Sequence, residues 1–208
     1  MKKFKNKKLS HSSKLWLTRQ NKDPLVNRAK EQNYRSRAVF KLIEINSKFK
    51  FLKNNLNIVD LGAAPGSWSQ YVSKINSNGI NISLDILEVD SIDNCKIFKG
   101  DFTDGLVQEN LINFLNNEKF DIILSDIAEN STGNKSLDSM RSNIMTVKVI
   151  NFSLNCLKKG GVILIKTFSG SGQKEVVDLV KKSFAKYFFI KPESSRKESK
   201  ELYLYCIL

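Results

Sequence analysis

Histidine and cysteine are scarce in this sequence, with one and three copies among 208 residues. The single histidine, His11, lies in a polar N-terminal segment, so chemistry that needs a histidine base inside the core is largely excluded. Cys95, Cys156 and Cys206 are few, widely separated and odd in number. This pattern fits reduced core thiols better than a disulfide framework or a zinc site. We therefore expect no metal centre.

Long apolar runs are also lacking. No segment approaches the roughly 18 consecutive apolar residues of a membrane span. The N-terminus is charged, but a polar stretch follows it, which is unlike a secretory signal. A chain of 208 residues has room for one domain of ordinary size. We expect a cytoplasmic protein that acts as a monomer and away from membranes.

Positive charge is present in excess, and it is concentrated at one end. The net charge is +13, and residues 1–50 hold 15 of the 34 Lys and Arg but only 3 of the 21 Asp and Glu. A general lysine bias would spread this excess along the chain, whereas a basic arm beside a nearly neutral domain suits phosphate binding. We predict a flexible basic arm over residues 1–20 and a single domain over residues 21–208.

Short apolar runs alternate with longer amphipathic segments along most of the chain. The predicted strands are 57–61, 80–86, 95–98, 120–126, 161–168, 187–192 and 201–208, and the predicted helices are 36–49 (N-capped by Ser36), 67–77, 107–116, 137–158 and 173–186. Repeated βα alternation predicts an α/β fold, with a mostly parallel sheet covered by helices on both faces. Two final strands joined by a short link indicate an antiparallel pair. Seven strands with one antiparallel fit a Rossmann-like methyltransferase better than a dinucleotide dehydrogenase.

A glycine-bearing loop follows the first predicted strand. The strand N-I-V-D-L runs into G-A-A-P-G-S-W at residues 62–68 and then into a helix. Gly62 and Gly66 allow tight turning and close approach to a ligand, and the helix N-terminus offers N–H groups to a carboxylate. The loop is not G-x-G-x-x-G, so alone it is equally compatible with an ordinary strand-to-helix turn.

Two aspartates follow the second and third predicted strands. Asp85 lies 23 positions after Gly62, where a carboxylate can accept hydrogen bonds from ribose hydroxyls. Asp101, in K-G-D-F, is placed to meet an adenine amino group from the other side. Either residue alone could be a turn aspartate, because aspartate is common at such positions. Together with the glycine loop they indicate a nucleoside site.

Two further strands end in groups of opposite charge. Asp126 ends the strand F-D-I-I-L-S-D and Lys166 follows G-V-I-L-I, so neighbouring parallel strands bring a carboxylate and an amine to the functional edge of the sheet. A lysine at a strand end is more often simply solvated. Lys41 with Glu44 could likewise form the solvated face of the first helix, and Glu201 could be an ordinary charge on an edge strand.

Five motifs together resemble those of the FtsJ family (RrmJ, RlmE), which comprises bacterial and organellar 2′-O-ribose methyltransferases of large-subunit ribosomal RNA. The resemblance runs from about Lys14 to the C-terminus and is highly specific in combination. The motifs are Y-R-S-R-A-V-F-K-L at 34–42, D-L-G-A-A-P-G-S-W-S-Q-Y-V at 60–72, G-D-F at 100–102, S-D-I-A at 125–128 and K-P-E-S-S-R-K-E-S-K-E-L-Y at 191–203.

The resemblance implies a Rossmann-like methyltransferase fold that uses S-adenosylmethionine and releases S-adenosylhomocysteine. It implies a Lys-Asp-Lys-Glu catalytic set, which falls here on Lys41, Asp126, Lys166 and Glu201. It also implies that the substrate is a uridine in the peptidyl-transferase region of 23S rRNA, within an assembled or nearly assembled large ribosomal subunit. The implied cofactor contacts are Gly66, Trp68, Asp85, Asp101 and Asp126.

Departures from the family pattern occur at two places. Family members commonly read A-P-G-G-W where this chain has Ser67, and S-D-M-A-P-N where it has Ile127 and Glu129. Ser67 is a mild change in the cofactor loop. Glu129 replaces a rigid proline by an acidic residue just beyond Asp126, so it bears on loop shape and RNA affinity more than on chemistry.

In the implied reaction, Lys166 presents the ribose hydroxyl to the methyl group. It can do so as a neutral base or as a donor that fixes the oxygen lone pair, and the sequence leaves both possibilities open. Arg35, Arg37 and Arg196 are the candidate phosphate contacts, together with the lysines of the basic arm.

Two rival functions remain at this point. One keeps the chemistry but directs it at a tRNA loop or an mRNA cap, and the compact length favours rRNA instead. The other is a non-catalytic RNA-binding or ribosome-assembly protein on the same fold. The intact four-residue set argues against this second alternative.

Overall fold

The computed structural model describes residues 23–129 and 131–208, which form a single seven-stranded sheet with helices on both faces. The strands are β1 (Asn57–Leu61), β2 (Ile80–Asp85), β3 (Lys96–Lys99), β4 (Phe120–Ser125), β5 (Leu157–Phe168), β6 (Lys186–Ile190) and β7 (Glu201–Ile207). The helices are α1 (Pro24–Glu31), α2 (Val39–Phe49), α3 (Ser67–Ile75), α4 (Gly105–Phe114), α5 (Lys135–Cys156) and α6 (Gln173–Ser183).

The strand order is β3-β2-β1-β4-β5-β7-β6. Strands β1 to β5 pair in parallel, while β7 lies antiparallel between β5 and β6. The predicted sheet of seven strands with one antiparallel strand is therefore confirmed, as is the predicted antiparallel pairing of the last two strands. The carboxyl ends of β1, β2, β4 and β5 meet at one edge, where ligands bind in open α/β sheets.

Alternating side chains of the central strands divide the core into two layers. In β4, Ile122 and Leu124 pack against α2 and α3, whereas Ile123 between them packs on the opposite face against α5 and α6. This follows from the period of two along a strand, which sends successive side chains to opposite faces. All three residues are buried, so the sheet is covered on both sides.

The two N-terminal helices differ from the prediction. Helix α2 begins at Val39 and has no side-chain cap, so the predicted start at Ser36 is wrong. The Ser36 hydroxyl instead shares a hydrogen bond of 2.7 Å with Ser67 Oγ. Helix α1 was not predicted; it is capped by Asp23, whose Oδ1 accepts a hydrogen bond from Leu25 N at 3.1 Å.

Other predictions concern the ends of the chain and the membrane. The predicted basic arm at residues 1–20 and His11 lie outside the described residues. Within the part of the chain that the structure describes, no helix combines the length and the apolar character needed to cross a membrane. The three cysteines are unpaired, and two of them are buried, as expected for core thiols.

Candidate active site

A cavity of about 530 Å³ lies at the carboxyl ends of β1, β2, β3 and β4. It includes four of the predicted cofactor residues and is lined by Gly62, Ala64, Leu84, Asp85, Ile86, Leu87, Gly100, Asp101, Phe102, Asp126, Ile127, Ala128, Glu129 and Met145. Its size is within the range of small-molecule and cofactor sites. Met145, contributed by α5, was not predicted.

The two loop glycines have different roles. Gly62 lines the cavity with φ of 74°, and a Cβ there would lie 2.3 Å from Ile127 Cγ1. Gly66 has φ of 103°, and a Cβ there would lie 2.7 Å from Arg35 Nη1. Gly66 is not among the cavity-lining residues; it is the N-cap residue of α3, and its positive φ and its packing against Arg35 account for a glycine there, while its contact with a cofactor stays a prediction.

Asp85 and Asp101 face the cavity, with part of each carboxylate engaged by the backbone. Asp85 accepts hydrogen bonds of 2.8 Å from Ala64 N and from Leu87 N, while Asp101 Oδ1 accepts from Thr103 N at 2.8 Å. Each carboxylate oxygen has two lone pairs, so both side chains keep acceptor capacity for a ligand. The backbone donors fix the orientation of these carboxylates.

Trp68 is not placed at the cavity by its side chain. Its indole is 2% exposed, donates from Nε1 to Ala38 O at 2.8 Å, and packs 5.7 Å from the ring of Tyr203. The indole joins the start of α2 to α3, so the cofactor contact implied for Trp68 stays a prediction for its backbone. Only its backbone, in the first turn of α3, offers an N–H group without an intrahelical partner.

Lys166 is buried and bound to Asp126. Its side chain is 6% exposed, and Nζ donates to Asp126 O at 2.6 Å and to Asp126 Oδ1 at 3.0 Å. The Thr146 hydroxyl of α5 donates to Lys166 O at 3.0 Å and fixes the backbone of β5 there. The alternative of a solvated strand-end lysine is therefore wrong for this residue.

A buried tyrosine connects this pair to Lys41. Tyr203 OH donates to Asp126 Oδ1 at 2.5 Å and accepts from Lys41 Nζ at 3.1 Å. Lys41 Nζ also lies 2.8 Å from Glu201 Oε1, and both of these side chains are 13% exposed. Tyr203 thus joins the four predicted residues into one chain of hydrogen bonds and ion pairs, which we call the catalytic network after the role that the family resemblance implies: Lys166, Asp126, Tyr203, Lys41 and Glu201.

The charges of the network keep its acidic groups in defined states. Burial alone would raise the pKa of Asp126, but the positive charges of Lys166 and Lys41 outweigh burial and hold that pKa below its usual value. Burial, together with the negative charges of Asp126 and Glu201, raises the pKa of Tyr203 well above its usual value. Asp126 is therefore ionised at neutral pH and Tyr203 keeps its proton, so the tyrosine donates.

Asp60 is a buried acid beneath the glycine loop. Its Oδ2 accepts from Ser69 Oγ at 2.6 Å, while Oδ1 has no partner among the described residues. Burial is the main cause that raises its pKa to about 7, with smaller contributions from the charges of Asp126 and Asp85. This role of Asp60 was not predicted, because the residue lies within an otherwise apolar strand segment.

The three arginines predicted to bind RNA are engaged within the protein to different degrees. Arg35 donates to the carbonyl oxygens of Pro65, Asp90 and Ser91 at 2.7 to 3.0 Å, so it joins two loops beside the cavity. Three of its five side-chain N–H donors are used by backbone carbonyls, and its predicted contact with RNA stays a prediction for the remaining two.

Arg37 is similarly engaged, since it donates to Asp23 Oδ2 and to Ser194 O. It links two segments of the protein, and its predicted contact with RNA stays a prediction. Arg196 is more available: its side chain is 36% exposed and lies 3.8 Å from Asp23 Oδ2. Of the three arginine side chains, it is the one most available for a contact with RNA.

The departures from the family pattern have structural partners. Ser67 is buried and bonded to Ser36, so its hydroxyl joins the cofactor loop to the turn before α2. Ile127 is the side chain against which Gly62 packs. Glu129 is exposed and lines the cavity, which places its negative charge beside the ligand site.

Comparison with known proteins places this site in a family. The profile of the FtsJ-like methyltransferases matches residues 34–207, which includes every residue of the catalytic network. The chain belongs to the FtsJ-like methyltransferase family. The predicted family is thereby confirmed, and with it the prediction of an RNA methyltransferase.

Curated relatives of this FtsJ-like methyltransferase carry one name. Ribosomal RNA large subunit methyltransferase E of Pelagibacter ubique is 42% identical over 199 residues, covering 96% of this chain and 98% of that protein. The protein of the same name from Acinetobacter baumannii is 40% identical over 200 residues, covering 96% of this chain and 93% of the relative.

Solved structures confirm the fold. A crystal structure from Plasmodium falciparum, described as a ribosomal RNA methyltransferase, matches with a TM-score of 0.76 and 33% identity, covering 84% of this chain and 97% of that one. A Streptococcus mutans methyltransferase solved in complex with SAH has a TM-score of 0.53 and 16% identity, covering 79% of this chain and 95% of its own. At that identity the second match speaks for the Rossmann-like fold alone.

Proposed function

We propose that this FtsJ-like methyltransferase transfers a methyl group from S-adenosylmethionine to the ribose 2′-hydroxyl of a uridine in 23S ribosomal RNA. The proposal rests on one observation: Lys166 Nζ donates two hydrogen bonds to Asp126, and Asp126 lines the cavity. A buried amine fixed beside a nucleoside-sized cavity is suited to orienting a hydroxyl. Relatives named ribosomal RNA large subunit methyltransferase E support the choice of RNA.

The cavity fits S-adenosylmethionine in size and in chemistry. Asp85 and Asp101 lie at the ends of β2 and β3 with acceptor capacity for ribose hydroxyls and an adenine amino group, and Ile86 and Leu87 offer apolar surface. The first turn of α3 can receive a carboxylate, because its N–H groups lack intrahelical partners. When bound there, S-adenosylmethionine supplies an electrophilic methyl group on a positively charged sulfur.

The chain's own residues then have positioning roles. The two hydrogen bonds from Lys166 Nζ to Asp126 leave one tetrahedral position of the nitrogen for the ribose hydroxyl. A neutral amine would accept the proton of the ribose hydroxyl at this position, and a charged amine would donate a hydrogen bond to the hydroxyl oxygen. Alignment of oxygen, methyl carbon and sulfur accounts for much of such a rate enhancement, because it converts a bimolecular step into an effectively unimolecular one.

The rest of the network controls charge and geometry around Lys166. Asp126 balances the buried charge of Lys166, and Tyr203 connects Asp126 to Lys41. Lys41 in turn is paired with Glu201, so the chain of contacts alternates between donors and acceptors. Such connected networks are stronger than separate pairs, because each bond polarises the next.

On the RNA side, Arg196 and the basic arm at residues 1–20 are the proposed phosphate contacts. The proposed partner is the large ribosomal subunit, and we infer that the enzyme meets it as a monomer in the cytoplasm. Methylation of a tRNA loop or an mRNA cap would use the same network, so the substrate must be mapped directly. Mass spectrometry of rRNA nucleosides, with and without the gene, should show the loss of one 2′-O-methyl group.

The decisive variant is Lys166→Ala. We expect it to lower the rate of methyl transfer to large-subunit rRNA by about 10²–10⁴-fold, which is the contribution typical of a general acid–base group. Binding of S-adenosylmethionine, measured by calorimetry, should persist because Lys166 does not line the cavity.

Lys159→Ala is the matched control, since Lys159 is an exposed lysine of the same strand. It should transfer methyl groups at the rate of the unaltered protein. A fully active Lys166→Ala enzyme would falsify the assignment of this lysine. A protein that takes up no S-adenosylmethionine would instead favour the non-catalytic assembly factor.

A further inference from the structure

The loop between β6 and β7, residues 191–200, is held by α2 and the turn before it. Arg37 donates a hydrogen bond to Ser194 O. Glu44 accepts from Glu193 N at 2.7 Å, from Ser194 N at 3.1 Å and from Ser194 Oγ at 3.0 Å. A carboxylate that accepts several hydrogen bonds from one short segment fixes it firmly, because such charge-assisted bonds are stronger than neutral ones.

In the sequence, Lys41 lies between Arg37 and Glu44, the two residues that bind the loop. Lys41 and Glu44 are three residues apart in α2 and so lie on one side of the helix, while Arg37 lies in the turn before it. The same loop also reaches Lys41 through a second route. Ser195 Oγ donates to Glu201 Oε1 at 2.8 Å, and that oxygen is 2.8 Å from Lys41 Nζ.

The contacts therefore form a closed ring that begins and ends on α2 and includes Lys41. Glu44 holds the backbone at residues 193–194, the next residue, Ser195, orients the Glu201 carboxylate, and Glu201 pairs with Lys41 on the helix that carries Glu44. Ser195 is 6% exposed, so its hydroxyl is not free to reorient towards water. Moving the loop would move the Glu201 carboxylate relative to Lys41.

We propose that Glu44 is a positioning residue for methyl transfer, acting through the β6–β7 loop and Ser195 to fix the Glu201–Lys41 pair. This inference rests on the proposed function. Glu44 itself contacts the loop and not the cavity, so its role is to set the geometry of Lys41 against Tyr203 and Asp126.

The test is a double-mutant cycle between Glu44 and Ser195. We expect Glu44→Ala to lower kcat by about ten- to a hundredfold, the size associated with lost hydrogen bonds to a charged group. Ser195→Ala should lower kcat by a smaller factor, because it removes one hydroxyl. The double variant should be no slower than Glu44→Ala alone, because both changes interrupt the same route.

Three further measurements separate positioning from general stability. The affinity for S-adenosylmethionine should stay within about twofold of the unaltered protein, while kcat measured at saturating RNA changes. Glu44→Gln should recover part of the lost kcat, because its amide oxygen still accepts one of the backbone N–H bonds. Glu109→Ala, an exposed glutamate of α4, is the control and should leave kcat unchanged.

The outcomes are distinct. Losses in kcat that multiply in the double variant, or a Glu44→Ala enzyme with unchanged kcat, would overturn the role of Glu44. If Glu44→Ala unfolds, Glu44→Gln and Ser195→Ala complete the same cycle. If the unaltered protein transfers no methyl group to RNA, the proposed function fails instead.

Discussion

The two sides of this active site are built by different means. On the cofactor side, Asp85, Asp101 and Asp126 each follow the end of their own parallel strand, so the fold alone delivers them to one edge. On the substrate side, Lys41 comes from a helix and Glu201 from the reversed strand β7. The residues of the cofactor side can be predicted from sequence spacing because they lie at strand ends. Those of the substrate side can be placed only when the strand order is known.

The register of β5 and β7 explains how the substrate side is assembled. Tyr203 is paired directly with Lys166, and Glu201 with Phe168. Because β7 lies beside β5 rather than at the sheet edge, its side chains reach Asp126 and Lys41. Asp126 is the one residue that belongs to both sides, since it lines the cavity and binds Lys166.

The largest effect is therefore expected from Asp126→Ala. This change leaves Lys166 buried without its partner, and truncating one member of a buried pair is strongly unfavourable. We expect kcat to fall by more than about 10³-fold and the affinity for S-adenosylmethionine to fall by about tenfold. Rapid-quench methyl transfer and calorimetry would measure the two quantities.

Asp85→Asn is the matched change on the cofactor side alone. It should weaken binding of S-adenosylmethionine while kcat at saturating cofactor is retained. If Asp126→Ala bound the cofactor normally, Asp126 would belong to the substrate side only.

An intermediate effect is expected from Tyr203→Phe. The ring and its packing on Trp68 are kept, but the bridge between Asp126 and Lys41 is removed. We expect kcat to fall by about tenfold, corresponding to a lost hydrogen bond to a charged group, with cofactor affinity within about twofold.

Tyr205→Phe is the control, because Tyr205 lies two residues further along the same strand and stacks on Phe49 at 4.3 Å. Its kcat should match that of the unaltered protein. Equal losses in kcat and in cofactor affinity for Tyr203→Phe would mean that the two sides are not separable.

The smallest effect on turnover is expected from Asp60→Asn, which should act on stability. The pKa of Asp60 is raised to about 7 in the folded protein, so the folded state holds a proton that the unfolded state releases near its ordinary pKa of 3.8. Stability due to this group is present below pH 4 and is lost as the pH rises towards 7. The full shift in pKa corresponds to a loss of at most about 4 kcal/mol in the free energy of unfolding.

Thermal unfolding between pH 5 and 8 would measure the pH-dependent contribution of Asp60 to stability. The Tm of Asp60→Asn relative to the unaltered protein should increase with pH and level off above pH 7. Asp93→Asn, at an exposed position, should show no such trend. A Tm difference for Asp60→Asn that is the same at every pH would contradict the raised pKa.

Much of the fold could be predicted because its signals are local. Alternation of short apolar runs with amphipathic segments located all seven strands and five of the six helices in the described chain to within a few residues. Helix α1 was missed because it has only eight residues. Asp23 followed by Pro24 is a capping signal that could have found it.

The site was predicted only in part, and the reason lies in side-chain direction. Spacing placed Asp85 and Asp101 correctly, whereas Lys41 and Glu201 came from family resemblance. Tyr203 was missed, although alternation along β7 puts it on the same face as Glu201.

Some residues that were predicted to bind a ligand also make contacts within the protein that the sequence did not indicate. Trp68, Gly66 and Arg35 lie in the motifs at 34–42 and 60–72, and the structure shows their side chains or backbone in contacts within the protein. Motif spacing does not reveal whether a donor near a site is already used. The same limitation applied to Glu44, whose partners lie about 150 residues away in the sequence.

The position of β7 has a consequence for synthesis. This strand comes last in the sequence yet lies inside the sheet, between two strands that are made earlier. While residues 201–207 remain in the exit tunnel of the ribosome, β5 and β6 have no strand between them, and Lys41 and Asp126 lack Glu201 and Tyr203. Lys41 and Asp126 therefore gain these partners only when β7 inserts between β5 and β6, so completion of the sheet and completion of the network are the same folding step.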